Sequence, residues 1–214
     1  MTHIRTRTSY SVLISALVLV ATACGSAQSS SVYEDPDERV LFEIPDGWNV
    51  YDNAELAQLQ EVPFTAGSTE LPVLANVAFD GAPGRSVENL NTSIASATFP
   101  IGAQVIRSVS SSQRDLLSRQ LLEDTVFSFS TLESTQDILT EDFSFGGDYD
   151  GIRRFIGFVD DGTSEQGAIY FVSVTDPGDT TIYTMAAGCS VACFEQYQTQ
   201  IVEVVDSWLV NTNQ

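Results

Sequence analysis

GIRRFIGFVDDGTSEQGAIYFVSVTDPGDTTIYTMAA, residues 151–187, is the stretch that decides the fold. Three runs within it, Ile152 to Asp160, Ala168 to Thr175 and Thr181 to Ala187, are rich in β-branched and aromatic residues. They are parted by Asp161-Gly162 and by Asp176-Pro177-Gly178-Asp179. Asp caps its own turn and Gly accepts positive φ, so this punctuation folds the chain back on itself and predicts an antiparallel meander. A fourth β-rich run, Ile138 to Phe145, precedes the others across Gly146-Gly147-Asp148. Phe155 to Val159 is apolar on both alternating faces, as is most of Ala168 to Val174. Strands of that kind are central ones, covered by helices on at least one side. The end of the chain supplies a cover: Phe194, Tyr197, Ile201, Val204, Val205 and Trp208 recur mostly at spacings of three and four, with Glu195, Glu203 and Asp206 left to face water. The expected class is α+β, an antiparallel β-sheet covered by helices.

Upstream the pattern is less regular. Val40 to Ile44 is a short strand closed by the turn Pro45-Asp46-Gly47, after which Trp48 and Val50 return to apolar surroundings. Asn53 is placed to cap a short helix through Leu59, Leu74 to Phe79 reads as a strand ended by Asp80-Gly81, and Ser86 to Leu90 starts a helix. Thr98 to Ser110 fits neither period cleanly. Ser112 with Asp115 resembles a capping box before Leu116, Leu117, Leu121 and Leu122, whose spacing suits one face of a helix. No internal repeat is visible.

The first two dozen residues speak to location. Arg5 and Arg7 form a positive n-region, Val12 to Val20 is an apolar run broken only by Ser15, and Ala21-Thr22-Ala23 supplies small residues before Cys24. That succession is a bacterial lipobox, with Cys24 as the lipid acceptor; Ala21 stands where a larger aliphatic residue is usual. The apolar run is far shorter than the roughly 20 residues that span a bilayer, so processing is expected in place of spanning. Residues 1–23 therefore read as a lipoprotein signal peptide, 24–38 as the lipidated cysteine and a Ser-rich flexible tether, and 39–214 as one globular domain, beginning around Arg39. The expected location is the extracytoplasmic face of the cell membrane, held by the lipid on Cys24.

Composition removes whole classes of function. Arg5 and Arg7 leave with the signal, so seven basic residues face 29 acidic ones and the mature charge is about −22. Nucleic acid and anionic lipid headgroups are poor partners for such a surface. The chain has no lysine, and its one histidine, His3, lies in the discarded segment. Ser-His-Asp and Cys-His catalysis, histidine metal ligation and Schiff-base chemistry go together with those residues.

FEIPDGW at Phe42 to Trp48 and VVDSWLV at Val204 to Val210 flank the strand series, and in that order the chain resembles the PsbP-like α/β sandwich domain, as in actinobacterial LpqN-type surface lipoproteins. The resemblance covers roughly Arg39 to Asn211, and Pro100 to Gln136 fits it least well. It implies a noncatalytic accessory or binding module and carries no catalytic residue onto this chain.

With Cys24 assigned to lipid, Cys189 and Cys193 remain, four residues apart at the start of the last helix. Positions i and i+4 on a helix suit a local disulfide in an oxidising compartment; two free buried thiols are the alternative. Asp148-Tyr149-Asp150-Gly151, Asp160-Asp161-Gly162 with Glu165, and Asp176 with Asp179 place carboxylates beside glycines, yet none completes a calcium-loop spacing, and turn chemistry accounts for them. Glu141 and Asp142 are adjacent in a strand and point to opposite faces, unsuited to shared hydrolytic work. Trp48, Trp208, Tyr149, Tyr170 and Phe171 read as core residues before they read as lining of a ligand groove. No catalytic, cofactor-binding or metal-binding residue and no cofactor is expected. The function read from the sequence is a noncatalytic binding or accessory module of the bacterial cell envelope, partnered by an envelope protein or an apolar ligand. A carrier of lipid or another apolar molecule, which predicts a large apolar cavity, and a carboxylate-dependent hydrolase are the alternatives.

Overall fold

The computed structural model describes residues 29–35, 40–61, 75–110, 114, 122, 134–145, 149–160 and 163–210. In chain order its elements are β1 (Ser30–Asp35), β2 (Val40–Pro45), β3 (Asn49–Tyr51), α1 (Asn53–Leu56) running into a 3-10 turn at Ala57–Glu61, and β4 (Val77–Asp80). Further 3-10 turns at Val87–Leu90 and Ile94–Ser96 lead to β5 (Ile101–Ser108), β6 (Ser134–Phe145), β7 (Tyr149–Val159), β8 (Gln166–Thr175) and β9 (Thr181–Ser190). Helix α2 (Val191–Asp206) and β10 (Leu209–Val210) close the described chain.

The hairpin β8–β9 shows why the turn residues are there. Asp176 accepts from Thr180 N at 2.6 Å, Thr181 N at 2.7 Å and Thr180 Oγ1 at 2.6 Å, while Asp179 takes a φ of 51°. Burial pushes the Asp176 carboxyl up, but the hydrogen bonds from Thr180 and the backbone outweigh it and hold the group below its ordinary value. Asp160 likewise accepts from Thr163 N at 3.0 Å after β7. The result is the meander expected: β6, β7, β8 and β9 are consecutive antiparallel neighbours in a seven-stranded sheet ordered β3-β4-β5-β9-β8-β7-β6.

A smaller antiparallel sheet, β1-β2-β10, and helix α2 cover one face of the large one. Phe42 of β2 meets Phe79 of β4 with ring centroids 5.8 Å apart, and Trp48 stacks on Phe79 at 5.9 Å. Gly102 makes room for that ring, since a Cβ there would lie 2.2 Å from it. α2 starts at its N-cap Ser190, whose hydroxyl accepts from Cys193 N, and buries Phe194, Ile201, Val204 and Val205 against the sheet. Among the described residues no helix is long and apolar enough to cross a membrane.

Several expectations change. Residues 30–35, read as tether, form β1, paired with β2 from Ser30↔Pro45 to Asp35↔Val40, so ordered structure begins well before Arg39. The segment lacks an apolar period because it docks through its backbone, helped by Ser30 Oγ donating to Glu43 Oε2 at 2.9 Å and by Tyr33 against Phe42 at 5.0 Å. Helix α1 is capped by Asp52, not Asn53, in a capping box with Glu55, and is one turn long. Ser86 does cap its segment, which is a 3-10 turn. Thr98 to Ser110 resolves into β5. Trp208 lies beyond the end of α2, held at 2% exposure as the chain turns into β10. Cys24, the leader, the helix expected after Ser112 apart from Arg114 and Leu122, and the turns at 146–148 and 161–162 lie outside the described residues.

Candidate functional site

Cys189 is the penultimate residue of β9 and Cys193 occupies the first turn of α2; the two are joined by a disulfide with Cα atoms 5.8 Å apart, and both are buried. The bond fixes the angle at which α2 leaves the sheet. Beside it, α2 packs chiefly on β8, β9 and β2, and β7 and β6 follow β8 outward in the sheet. A groove of about 410 Å³ opens in the space between. Val191 and Phe194 of α2 form one wall, Ile138 of β6 the other, and Phe155, Gly157 and Ala168 the floor. Phe155 and Phe194 stack at 4.7 Å with planes 18° apart.

Small residues make this depression. Gly157 is paired with Ala168 on one side and Gln136 on the other. A Cβ at Gly157 would meet nothing but Ile138 Cδ1, at 3.9 Å, so the glycine leaves space that a side chain would fill. Ile138 stands at an irregularity in β6, where the register shifts between Asp137 and Leu139, and it remains 55% exposed with Leu139 at 40%. The polar groups at the rim are Thr135, Gln136, Gln166, Gln198 and one carboxylate, Glu195.

Further along α2 the strands are tied down. Arg153 of β7 sends Nη1 to Glu141 Oε1 at 3.0 Å and Nη2 to Asp206 Oδ1 at 3.4 Å, with its guanidinium 4.3 Å above the Phe143 ring. Tyr170 donates to Asp206 Oδ1 at 2.8 Å, and burial, reinforced by that carboxylate, pushes its phenol pKa upward. Glu141 is thus spent on linking β6 and β7, and its neighbour Asp142 pairs with Ile152 on the opposite face. On that opposite face Arg154, 7% exposed, forms an ion pair with Asp137.

A second concavity, about 460 Å³, lies where β1 begins and α2 ends. Glu43, Glu203 and Asp206 line it with Ser29, Ser30 and Ser207. Its hydroxyls are already used: Glu43 N donates to Ser207 Oγ at 2.9 Å, and Ser207 Oγ donates to Val204 O at 2.8 Å. Among the described residues no three His, Cys, Asp or Glu side chains are grouped as a metal site.

The most deeply buried carboxylate went unremarked in the sequence, where Asp80 reads only as the end of a strand. It is fully buried and accepts from Asn49 Nδ2 at 2.8 Å, Tyr51 OH at 2.7 Å, Ala82 N at 2.8 Å and Asn89 Nδ2 at 3.3 Å. Burial, then the neighbouring Asp80, drives the Tyr51 pKa upward. Arg85 lies 4.8 Å over the Tyr51 ring and clasps Glu55 at 2.6 and 2.9 Å, which holds the Glu55 carboxyl below its ordinary value. This cluster knits β3, β4 and the loop after it into one piece. Its acceptor positions are filled by the protein itself, which suits a structural part and leaves no lone pair directed at a substrate.

Of the aromatic residues weighed as groove lining, Tyr149, Tyr170, Phe171 and Trp208 are buried, and Trp48 packs on Phe79. The groove is built instead from Phe155 and Phe194, which had read as core. A glycine amid the apolar run of β7 was the one available signal.

No protein-family model matches the chain, and no curated protein sequence matches it. Solved structures do. Cyanobacterial PsbP (CyanoP) from Synechocystis superposes with a TM-score of 0.51 at 14% identity, over 89% of this chain and 98% of that one. The Ran-binding protein Mog1p of Saccharomyces cerevisiae gives 0.50 at 10% identity, over 86% and 96%. LpqN of Mycobacterium tuberculosis, described as involved in cell envelope biogenesis, gives 0.44 at 10% identity over 88% and 87%, a likeness that adds nothing to the argument. The fold is thus the PsbP-like one foreseen from the two flanking motifs.

Proposed function

We propose that this PsbP-like domain is a noncatalytic accessory binding module of the bacterial cell envelope, anchored on the extracytoplasmic face of the membrane through a lipid on Cys24. The observation that carries the binding part is the apolar groove between α2 and the outer strands: Ile138, 55% exposed, lines this concavity and Leu139 stands exposed next to it in the chain, whereas the other large exposed apolar side chains described, Val32 and Leu209, lie on the small sheet away from it. Large apolar side chains left exposed beside a concavity contribute nothing to folding and suit recognition. The groove lies open on the surface and is of modest size, which favours docking of a ligand or a partner's side chains over enclosed transport. The saturated hydrogen bonding of Asp80, Asp160 and Asp176 supports structural duties for the carboxylates.

Anchoring rests on the positive, apolar and small-residue succession before Cys24. Two acyl chains hold firmly where one does not, since each buried methylene contributes about 0.8 kcal/mol. The test is fractionation: wild-type protein stays with membranes through salt and carbonate washes, and Cys24→Ala releases it. A Cys24→Ala protein that still partitions with washed membranes removes the anchor from the proposal.

A further inference from the structure

We infer that the groove between α2 and β6–β7 takes a small ligand with an apolar body and a cationic end. This deepens the binding-module reading and rests on it. Three observations point the same way. The floor and walls, Phe155, Phe194, Ile138 and Ala168 with Gly157 between them, are apolar, and the open groove of about 410 Å³ lies in the range of small-molecule sites, about 300 to 1,000 Å³. Among the described residues lining it the single ionisable one is Glu195, beside amides that serve either donors or acceptors, and none is an arginine. Beyond residue 23 the whole chain carries seven basic residues against 29 acidic ones, a net field that raises the concentration of cations near the protein and repels anions.

The geometry assigns roles to the parts. An alkyl or aryl body lies on the Gly157–Ala168 floor, where Gly157 leaves a Cβ-sized space backed by Ile138 Cδ1 at 3.9 Å. Phe155, half-buried and backed by the buried Phe194 ring stacked on it at 4.7 Å, presents its outer ring surface, which attracts a nearby cation through the ring quadrupole. Glu195, exposed on the first turns of α2, meets the charged end at the mouth. A second copy of this chain is a poor occupant, because two bodies of about −22 would have to meet face to face.

The test is a titration of purified full-length protein carrying Cys24→Ala, so that its outcome is independent of anchoring. Three probes share a decyl tail, each kept below its micelle concentration: decyltrimethylammonium, decyl maltoside and decanoate. Salt is set near 0.15 M, where the Debye length is about 8 Å and diffuse attraction to the acidic surface is screened. Decyltrimethylammonium is expected to bind in a saturable one-to-one manner, about tenfold more tightly than decanoate. Gly157→Leu, which fills the floor, weakens it at least about tenfold. Glu195→Gln weakens the cationic probe about threefold and leaves the maltoside unchanged, the scale of an exposed ion pair. Should Gly157→Leu fail to fold by circular dichroism, Ile138→Ser, at an exposed wall position, replaces it. Binding unmoved by the groove variants, equal or tighter binding of the maltoside or decanoate, or absence of binding overturns the proposal. So does dimerisation in sedimentation that Gly157→Leu abolishes, which would give the groove to a second copy.

Discussion

The two edges of the seven-stranded sheet invert the usual order of polarity, in opposite ways. At the β3–β4 edge a carboxylate, Asp80, is fully buried. At the β6–β7 edge, Ile138 and Leu139 stand in water. The first inversion is compensated inside the protein, because four donors converge on the Asp80 oxygens and fix Asn49, Tyr51, Asn89 and the loop after β4 around them. The second has no compensation within the described residues. A buried charge supplied with donors is a fastener, whereas apolar side chains kept exposed beside a groove lower no folding free energy and mark a surface used for contact. The difference teaches where to look for function: at the edge the fold leaves unfinished.

The comparison breaks if Asp80 is dispensable. Asp80→Ala takes the acceptor from Ala82 N and one of two acceptors each from Asn49, Tyr51 and Asn89, and is expected to cost about 2 to 4 kcal/mol in urea denaturation. A loss below about 1 kcal/mol would make the cluster incidental. Asp176 sharpens the point, because it is saturated by donors at a hairpin tip with far less burial than Asp80. Asp176→Asn should cost about 1 kcal/mol at neutral pH. Its folded pKa is lowered, so the stabilisation is fully present above the unfolded value of about 3.9 and is lost as pH falls through the folded value. The gap between wild type and Asp176→Asn therefore closes below about pH 4 and is flat from 5 to 7; a gap widening on acidification contradicts the assignment. At the other edge Ile138→Thr should change thermal stability by less than about 0.5 kcal/mol, since a side chain 55% exposed gives up little burial. A loss of about 2 kcal/mol there would show that Ile138 belongs to the core after all.

The same contrast explains what could be read from the chain. β7, β8 and β9 were legible because β8 is buried on both faces, its neighbours are buried on at least one, and their turns need Asp, Pro and Gly. β1 was not, because a strand that docks by backbone pairing, with Val32 61% exposed, leaves no apolar period. The bond between Cys189 and Cys193 was anticipated from the two thiols left once Cys24 is set aside, but not by the helical i, i+4 geometry, since Cys189 lies in β9 and only Cys193 in α2. Asp80 escaped notice since its partners, Asn49, Tyr51 and Asn89, come from separate segments that only the folded sheet brings together. The groove was equally hidden: Phe155 and Phe194 carry the same signature whether they pack inward or line a depression, and the emptiness at Gly157 is a property of its neighbours.

The pairing of β1 with β2 changes the leash on which an anchored domain would move. A tether running to Asp37 allows a reach of about 45 Å at full extension, whereas five residues from Cys24 to Ser29 allow about 18 Å. The hemisphere a body can sweep scales with the cube of that length, so it shrinks roughly fifteenfold. Were the domain anchored as proposed, effective concentration would rise for whatever sat beside the anchor in the bilayer, and contact would be forfeited with anything farther from the membrane. On such a leash, a lipid at the proposed acceptor Cys24 would select neighbours by height above the membrane before any groove selected them by shape.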